Sequence, residues 1–155
     1  MSKKIAVIGL GNTLRRDDGI GLNILESLLN SYKYPEIDYL NFGSASFDLI
    51  HRLQDYDLVL LIDGISAGLK PGELKIFTLD EAIFTKDDGA ISSHELNLKD
   101  IFKLTQKLVI KTVIYVAGIQ VEDTGYGDSL SNPLKNKLKV LTEQIAKFIQ
   151  ERLVQ

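Results

Sequence analysis

Residues 58–78 read LVLLIDGISAGLKPGELKIFT. The stretch opens on an unbroken apolar run, Leu58 to Ile62, the pattern of a short strand covered on both faces. The run stops at Asp63-Gly64, where the strand is expected to end. Pro71-Gly72 marks a turn, and Glu73 to Thr78 then alternates like a strand with one exposed face. Too few residues separate the two strands for a helical crossover, so the pair, if adjacent, is antiparallel. The first strand reads as parallel, the second as antiparallel, and the sheet is therefore expected to be mixed.

Working outward, Ile5 to Leu10 (IAVIGL) is another buried run, followed by a glycine loop and a polar segment to Asp18. Ile20, Ile24, Leu25 and Leu28 recur at helical spacing between Gly19 and about Leu29. A strand is expected from Ile37 to Phe42, and Phe47, Leu49, Ile50 and Leu53 suggest a short helix. On the C-terminal side, Ser92 is expected to open a helix running to about Lys107, and Val113 to Ile119 forms a further apolar strand. A polar, glycine-rich loop covers Glu122 to Ser131. Pro133 then sits in the first turn of a last helix, where its missing N–H costs nothing. That helix buries Leu134, Leu138, Leu141, Ile145, Phe148 and Ile149. The order β-α-β-α-β-β-α-β-α implies an α/β protein, a three-layer α/β/α sandwich around a mostly parallel sheet. A single domain over residues 1–155 is expected.

Composition narrows the chemistry. The chain carries a formal charge of −3 and no dense cluster of Lys or Arg, which argues against a nucleic-acid partner. It has no cysteine, so disulfides, thiolate metal sites and cysteine nucleophiles are excluded. No apolar run approaches bilayer-spanning length, and Met1-Ser2-Lys3-Lys4-Ile5 lacks the apolar core of a secretory signal. No membrane insertion and a cytoplasmic location are the expectations.

Ligands of open α/β sheets bind beyond the carboxyl ends of the strands, where strand order reverses. The first strand leads into the loop carrying Asp17 and Asp18, the third ends at Asp63, and His94 precedes the last strand's helix. All three loops are expected on one edge of the sheet. An aspartate just ahead of a helix caps it and complements its dipole. One suffices, so the second of Asp17 and Asp18 is left for another task. Asp63 emerges from a buried strand, where a charge needs a partner or a metal, although a turn role in Asp63-Gly64 competes. Ser92-Ser93-His94-Glu95 reads as a capping box with Ser92 as cap, placing His94 in a first helical turn, where the dipole disfavours protonation. A plain surface histidine competes with that reading, and His51 reads as solvated.

Other motifs fail on inspection. Gly9-x-Gly11 begins a dinucleotide fingerprint, but Leu14 stands where the third glycine belongs, and Asp17 and Asp18 would repel a pyrophosphate. His94-Glu95 starts like a zincin helix and lacks the second histidine. Asp123-Thr124-Gly125 matches the aspartic-protease tripeptide without the second carboxylate that chemistry requires. It reads instead as part of a mobile loop at the crevice rim.

Taken together, the segments resemble the hydrogenase maturation endopeptidases. The resemblance rests on Gly11-Asn12, Asp17-Asp18-Gly19-x-Gly21, Asp63, and Gly68-Leu69-Lys70-Pro71-Gly72-Glu73. It continues through Ser93-His94-Glu95-Leu96-Asn97-Leu98, Gly118-Ile119-Gln120 and Gly125-Tyr126-Gly127, covering almost the whole chain in order. It implies a phosphorylase/hydrolase-like five-stranded sheet of order 2-1-3-5-4 with the fourth strand antiparallel. It also implies that Asp18, Asp63 and His94 bind a divalent metal and form the catalytic site. The metal would be nickel supplied by the substrate, with another divalent cation able to take the site in the isolated protein. The implied partner and substrate is the large-subunit precursor of a nickel–iron hydrogenase, from which a short C-terminal peptide is removed.

Two carboxylates and one imidazole suit a borderline divalent cation and leave coordination positions open. No orthodox nucleophile–base pair accompanies them, so catalytic roles stay unassigned, with Asp17 a candidate base. Two other readings remain open on the residues alone. One is a metal-sensing chaperone that binds the same precursor without cutting it. The other is a small-molecule hydrolase, for which Arg15-Arg16 are the only cations near the first loop.

Overall fold

In a strand with apolar side chains on both faces, odd and even positions must feed separate cores. A computed structural model of the chain, describing residues 2–81 and 97–154, shows two such cores. The elements are β1 (Ile5–Leu10), α1 (Ile20–Ser31), β2 (Ile37–Gly43), α2 (Phe47–Leu53), β3 (Leu58–Ile65), β4 (Leu74–Thr78), α3 (Leu98–Lys107), β5 (Val113–Gln120) and α4 (Asn132–Phe148). Ile5 and Val7 of β1 and Leu58, Leu60 and Ile62 of β3 join α1 and α4 on one side. Ala6, Ile8 and Leu10, with Val59 and Leu61, join α2 and α3 on the other. The result is the expected α/β/α sandwich.

Strand order is β2-β1-β3-β5-β4, parallel throughout except for the β4–β5 pair. The mixed sheet and the antiparallel fourth strand match the expectation drawn from the Pro71-Gly72 turn. Strand order reverses between β1 and β3, because the chain leaves β1 toward β2 and leaves β3 toward β5.

Three boundaries differ from the sequence reading. β3 does not stop at Ile62 but continues to Ile65, with Asp63 paired in register to Gly118 of β5. β1 pairs with β3 only as far as Ile62, so Asp63 is the first β3 residue beyond the end of its β1 neighbour. A strand can carry a charge this deep when one neighbouring strand has already departed. α3 starts at Leu98, not at Ser92. Its cap is Asn97, whose side chain accepts from the Asp100 N–H while Asp100 closes the capping box. The extended backbone of Asn97 ends the helix there, and Ser92, His94 and Glu95 lie outside the described residues. Finally, neither Asp17 nor Asp18 caps α1. A 3-10 turn, Arg16–Gly19, precedes the helix, and its N-cap is Gly19 without a side-chain bond.

α1 is held over the point where strand order reverses by close approach at Gly21. A Cβ there would stand 2.2 Å from the Ile62 carbonyl oxygen and 2.4 Å from that of Leu10, so only glycine lets the helix start sit on both strand ends. Among the described residues no helix is long and apolar enough to cross a membrane.

Candidate active site

The loop between β1 and α1 is shaped by its own backbone needs before any side chain contributes. Gly11 has φ +138°, and a Cβ on it would meet the Asp18 carbonyl oxygen at 1.9 Å. That space lets the Asn12 N–H reach both oxygens of the next turn, the Asp18 carbonyl at 3.2 Å and the Asp18 Oδ2 at 3.1 Å. The Asn12 Oδ1 in turn accepts the Leu14 N–H at 2.9 Å. Arg16 adopts φ 45°, left-handed backbone that a residue with a Cβ occupies only when its surroundings hold it there.

Those surroundings are the loop after β5. The Arg16 N–H donates to Gly127, the Gly127 N–H donates to Leu14, and the Asp17 N–H donates to Asp123, each at 3.0 Å. Arg15 and Gly127 form a parallel β-bridge. Arg15 Nε donates to the Thr124 carbonyl at 3.0 Å, and its guanidinium lies 4.9 Å from the Tyr126 ring centre. Arg16 Nε stands 3.6 Å from Asp123 Oδ2. Residues 123–127 are therefore fastened along residues 14–17. Arg15 and Arg16 both take part in this fastening through their Nε atoms.

Asp17 is the knot. Its carboxylate accepts from the Glu122 and Asp123 N–H groups, both at 2.9 Å, and from the Ser131 N–H and hydroxyl, both at 2.7 Å. The residue is 0% exposed. Burial alone would raise its pKa, but the bonds from Asp123, Ser131 and Glu122 outweigh burial and hold the carboxyl below its ordinary value. With three donors on Oδ2 and one on Oδ1, the carboxylate is held in one orientation and ties the two loops together.

Asp18 and Asp63 are 4% and 3% exposed, and both lie at the carboxyl edge of the parallel strands. The segments carrying them touch. A Cβ on Gly64 would stand 3.2 Å from the Asp17 carbonyl oxygen, so the Asp17-Asp18 turn abuts Asp63-Gly64. By strand alternation Asp63 shares its face with Val59 and Leu61, the α2 and α3 side. Its register partner is Gly118, where the missing Cβ makes room for the Ile65 side chain, whose Cδ1 would otherwise be met at 2.6 Å.

α3 belongs to this side as well. Phe102, Thr105 and Gln106 border one cleft with Val113 and Ile114 at the start of β5. The helix thus runs back along the sheet, and its capped start lies toward the edge that carries Asp18 and Asp63. His94, three residues before that cap, lies outside the described residues. Among the described residues alone, no three His, Asp or Glu side chains group as a metal site.

Two contributors escaped sequence reasoning. Ser131 gives Asp17 two of its four bonds, yet in sequence it is only the residue before Asn132-Pro133. Gln120 closes β5 by accepting the Ala67 and Leu69 N–H groups at 2.7 and 3.2 Å, which fixes the loop leaving β3. Its signal was a polar residue closing an apolar strand.

Comparison with known proteins follows the same lines. A family model described as hydrogenase maturation protease matches residues 22–148. The hydrogenase expression/formation protein HoxM of Cupriavidus necator is 30% identical over 151 residues, covering 94% of this chain and 74% of its own length. The crystal structure of a [NiFe] hydrogenase maturation protease HycI from Thermococcus kodakarensis superposes with TM-score 0.74 at 28% identity, covering 96% of this chain and 94% of that one. The hydrogenase maturating endopeptidase HybD from Escherichia coli shares the fold at TM-score 0.78 and 23% identity, over 96% of this chain and 93% of that one.

Proposed function

Because this chain belongs to the hydrogenase maturation protease family and is a peptidase, we propose that it cuts a short C-terminal peptide from the nickel-loaded large-subunit precursor of a nickel–iron hydrogenase. Asp18, Asp63 and His94 hold the precursor's nickel and thereby test whether metal insertion is complete.

The observation that carries this reading is the burial of two carboxylates on abutting segments where strand order reverses. Two carboxylates brought together at a crevice concentrate negative charge, which favours a cation beside them. The donor set fits a borderline divalent ion: two hard oxygens and, from His94, an imidazole nitrogen. Three protein ligands would leave positions open for groups the substrate brings, and a divalent metal held by Asp18, Asp63 and His94 would supply Lewis acidity there.

The chain's own residues do the positioning. Asn12 orients the Asp18 turn through both oxygens of Asp18, and Asp17 fixes the rim. Asp17, its pKa held below the ordinary value, serves here as the fixed acceptor that joins the two loops.

The test is cleavage of the nickel-loaded precursor by Asp18→Ala, Asp63→Ala and His94→Ala variants whose folding is checked by circular dichroism. Each is expected to lower the cleavage rate by at least about a hundredfold, the scale for losing a metal contact or its immediate support. Full activity in any folded variant removes that residue from the site.

A further inference from the structure

The fastened loops at the crevice rim end in two exposed side chains. Leu14 is 66% exposed and Tyr126 is 84% exposed, although both belong to backbone that is tightly held. The Leu14 N–H is bound by Asn12 Oδ1, and its carbonyl accepts the Gly127 N–H. Tyr126 precedes Gly127, whose N–H and carbonyl are both engaged, and the Arg15 guanidinium rests against its ring. Since Arg15 bridges Gly127 in parallel register, Leu14 and Tyr126 are neighbouring positions across the two loops. The Asp17 knot locks the pair from below.

Both side chains thus stand out from loops whose backbone is hydrogen-bonded in place. Rigid aromatic and leucine side chains on a fixed backbone lose little freedom on association, which is the condition for a strong contact. Tyrosine beside arginine is also the composition of interface hot spots. At 66% and 84% exposure the two side chains protrude, whereas a small-molecule pocket is concave and buries its occupant. They suit a concavity on another protein. They stand on the loops that deliver Asp18, so a protein whose chain reaches Asp18 and Asp63 passes directly beside them.

We propose that Leu14 and Tyr126 form the docking point for the folded body of the precursor, inserting into an apolar recess next to its scissile segment. The inference rests on the endopeptidase reading and adds the surface by which the substrate is recognised. The clamp sets affinity for the precursor, while Asp18 and Asp63 act on the segment delivered to them.

The experiment compares the parent, a Leu14→Ser/Tyr126→Ser double variant, and Val140→Ser, an exposed apolar position on α4. Steady-state cleavage of nickel-loaded precursor is measured together with precursor binding by biolayer interferometry and nickel-ion binding by the isolated proteins. Both clamp side chains are exposed, so their truncation leaves the fold intact, which thermal melting checks. The double variant is expected to bind precursor about tenfold or more weakly, with KM rising in step and kcat within about twofold of the parent. Its affinity for nickel ion stays at the parent value, and Val140→Ser matches the parent throughout. Unchanged precursor binding and KM in the double variant overturn the docking inference and leave the endopeptidase reading standing. A fall in kcat at unchanged KM also overturns it, by assigning the clamp to the chemistry. If the parent itself neither binds nor cuts the precursor, the endopeptidase reading fails first, and the docking inference with it.

Discussion

Asp17 and Asp18 are chemically identical neighbours, and the fold gives them different tasks. Asp17 gathers donors from Glu122, Asp123 and Ser131, while Asp18 is buried with its Oδ2 accepting the Asn12 N–H. Removing the Asp17 carboxylate by Asp17→Ala leaves buried N–H groups without acceptors, and a loss of about 3 kcal/mol or more is expected in urea denaturation. Its acid behaviour follows from the direction of its pKa. The folded value lies below the ordinary 3.8, so the ionised group contributes stability above about pH 4 that disappears as pH falls through the folded value. Asp17→Asn is expected to be less stable at neutral pH and to lack this part of the acid loss, read from denaturation midpoints between about pH 2 and pH 6. An identical pH slope in parent and variant would contradict the assignment. The sequence showed that one aspartate of the pair had to do something other than cap. It could not show which, because the Ser131 donors lie 114 residues away.

Among the elements, α1 and α3 fix the site. α1 depends on Gly21, where any Cβ collides with the carbonyl oxygens of Leu10 and Ile62, neither of which can yield without pulling a strand end. Gly21→Ala is expected to cost about 3 kcal/mol or more and to weaken metal binding in whatever fraction stays folded, measured by denaturation and nickel titration. α3 depends on Asn97. Losing that cap in Asn97→Ala should cost about 1 kcal/mol, seen as a lower Tm. A larger fall in nickel affinity than in stability would tie the helix start to His94. The helices and strands were legible from periodicity because each buried stripe repeats at its own spacing. The ends were not. Ser92 with Glu95 and Asn97 with Asp100 obey the same three-residue capping rule, and the Asn97 pair closes the box in the structure. β3 was cut short at Asp63 for a related reason, since a carboxylate reads as a strand end unless the early departure of β1 is known.

For the whole molecule, the topology does most of the work. The order β2-β1-β3-β5-β4 opens a crevice between β1 and β3, and residues from both ends of the chain close around it. That architecture was readable from the alternation of elements and the Pro71-Gly72 turn, and the family from motifs spread over nearly the full length. The clamp of residues 14–17 with residues 123–127 was not readable. Its backbone bonds carry no side-chain signal, and the Arg15, Arg16 and Asp17 side chains that reinforce them meet partners far along the chain. The central claim is that this peptidase cuts only a precursor that already holds its nickel, through Asp18, Asp63 and His94. Intact mass of the large-subunit precursor before and after incubation tests it most directly. The account predicts loss of a short C-terminal peptide from the nickel-loaded form, with no change in the nickel-free form or with Asp63→Ala. Equal cleavage of nickel-free and nickel-loaded precursor, or full cleavage by Asp63→Ala, would contradict it.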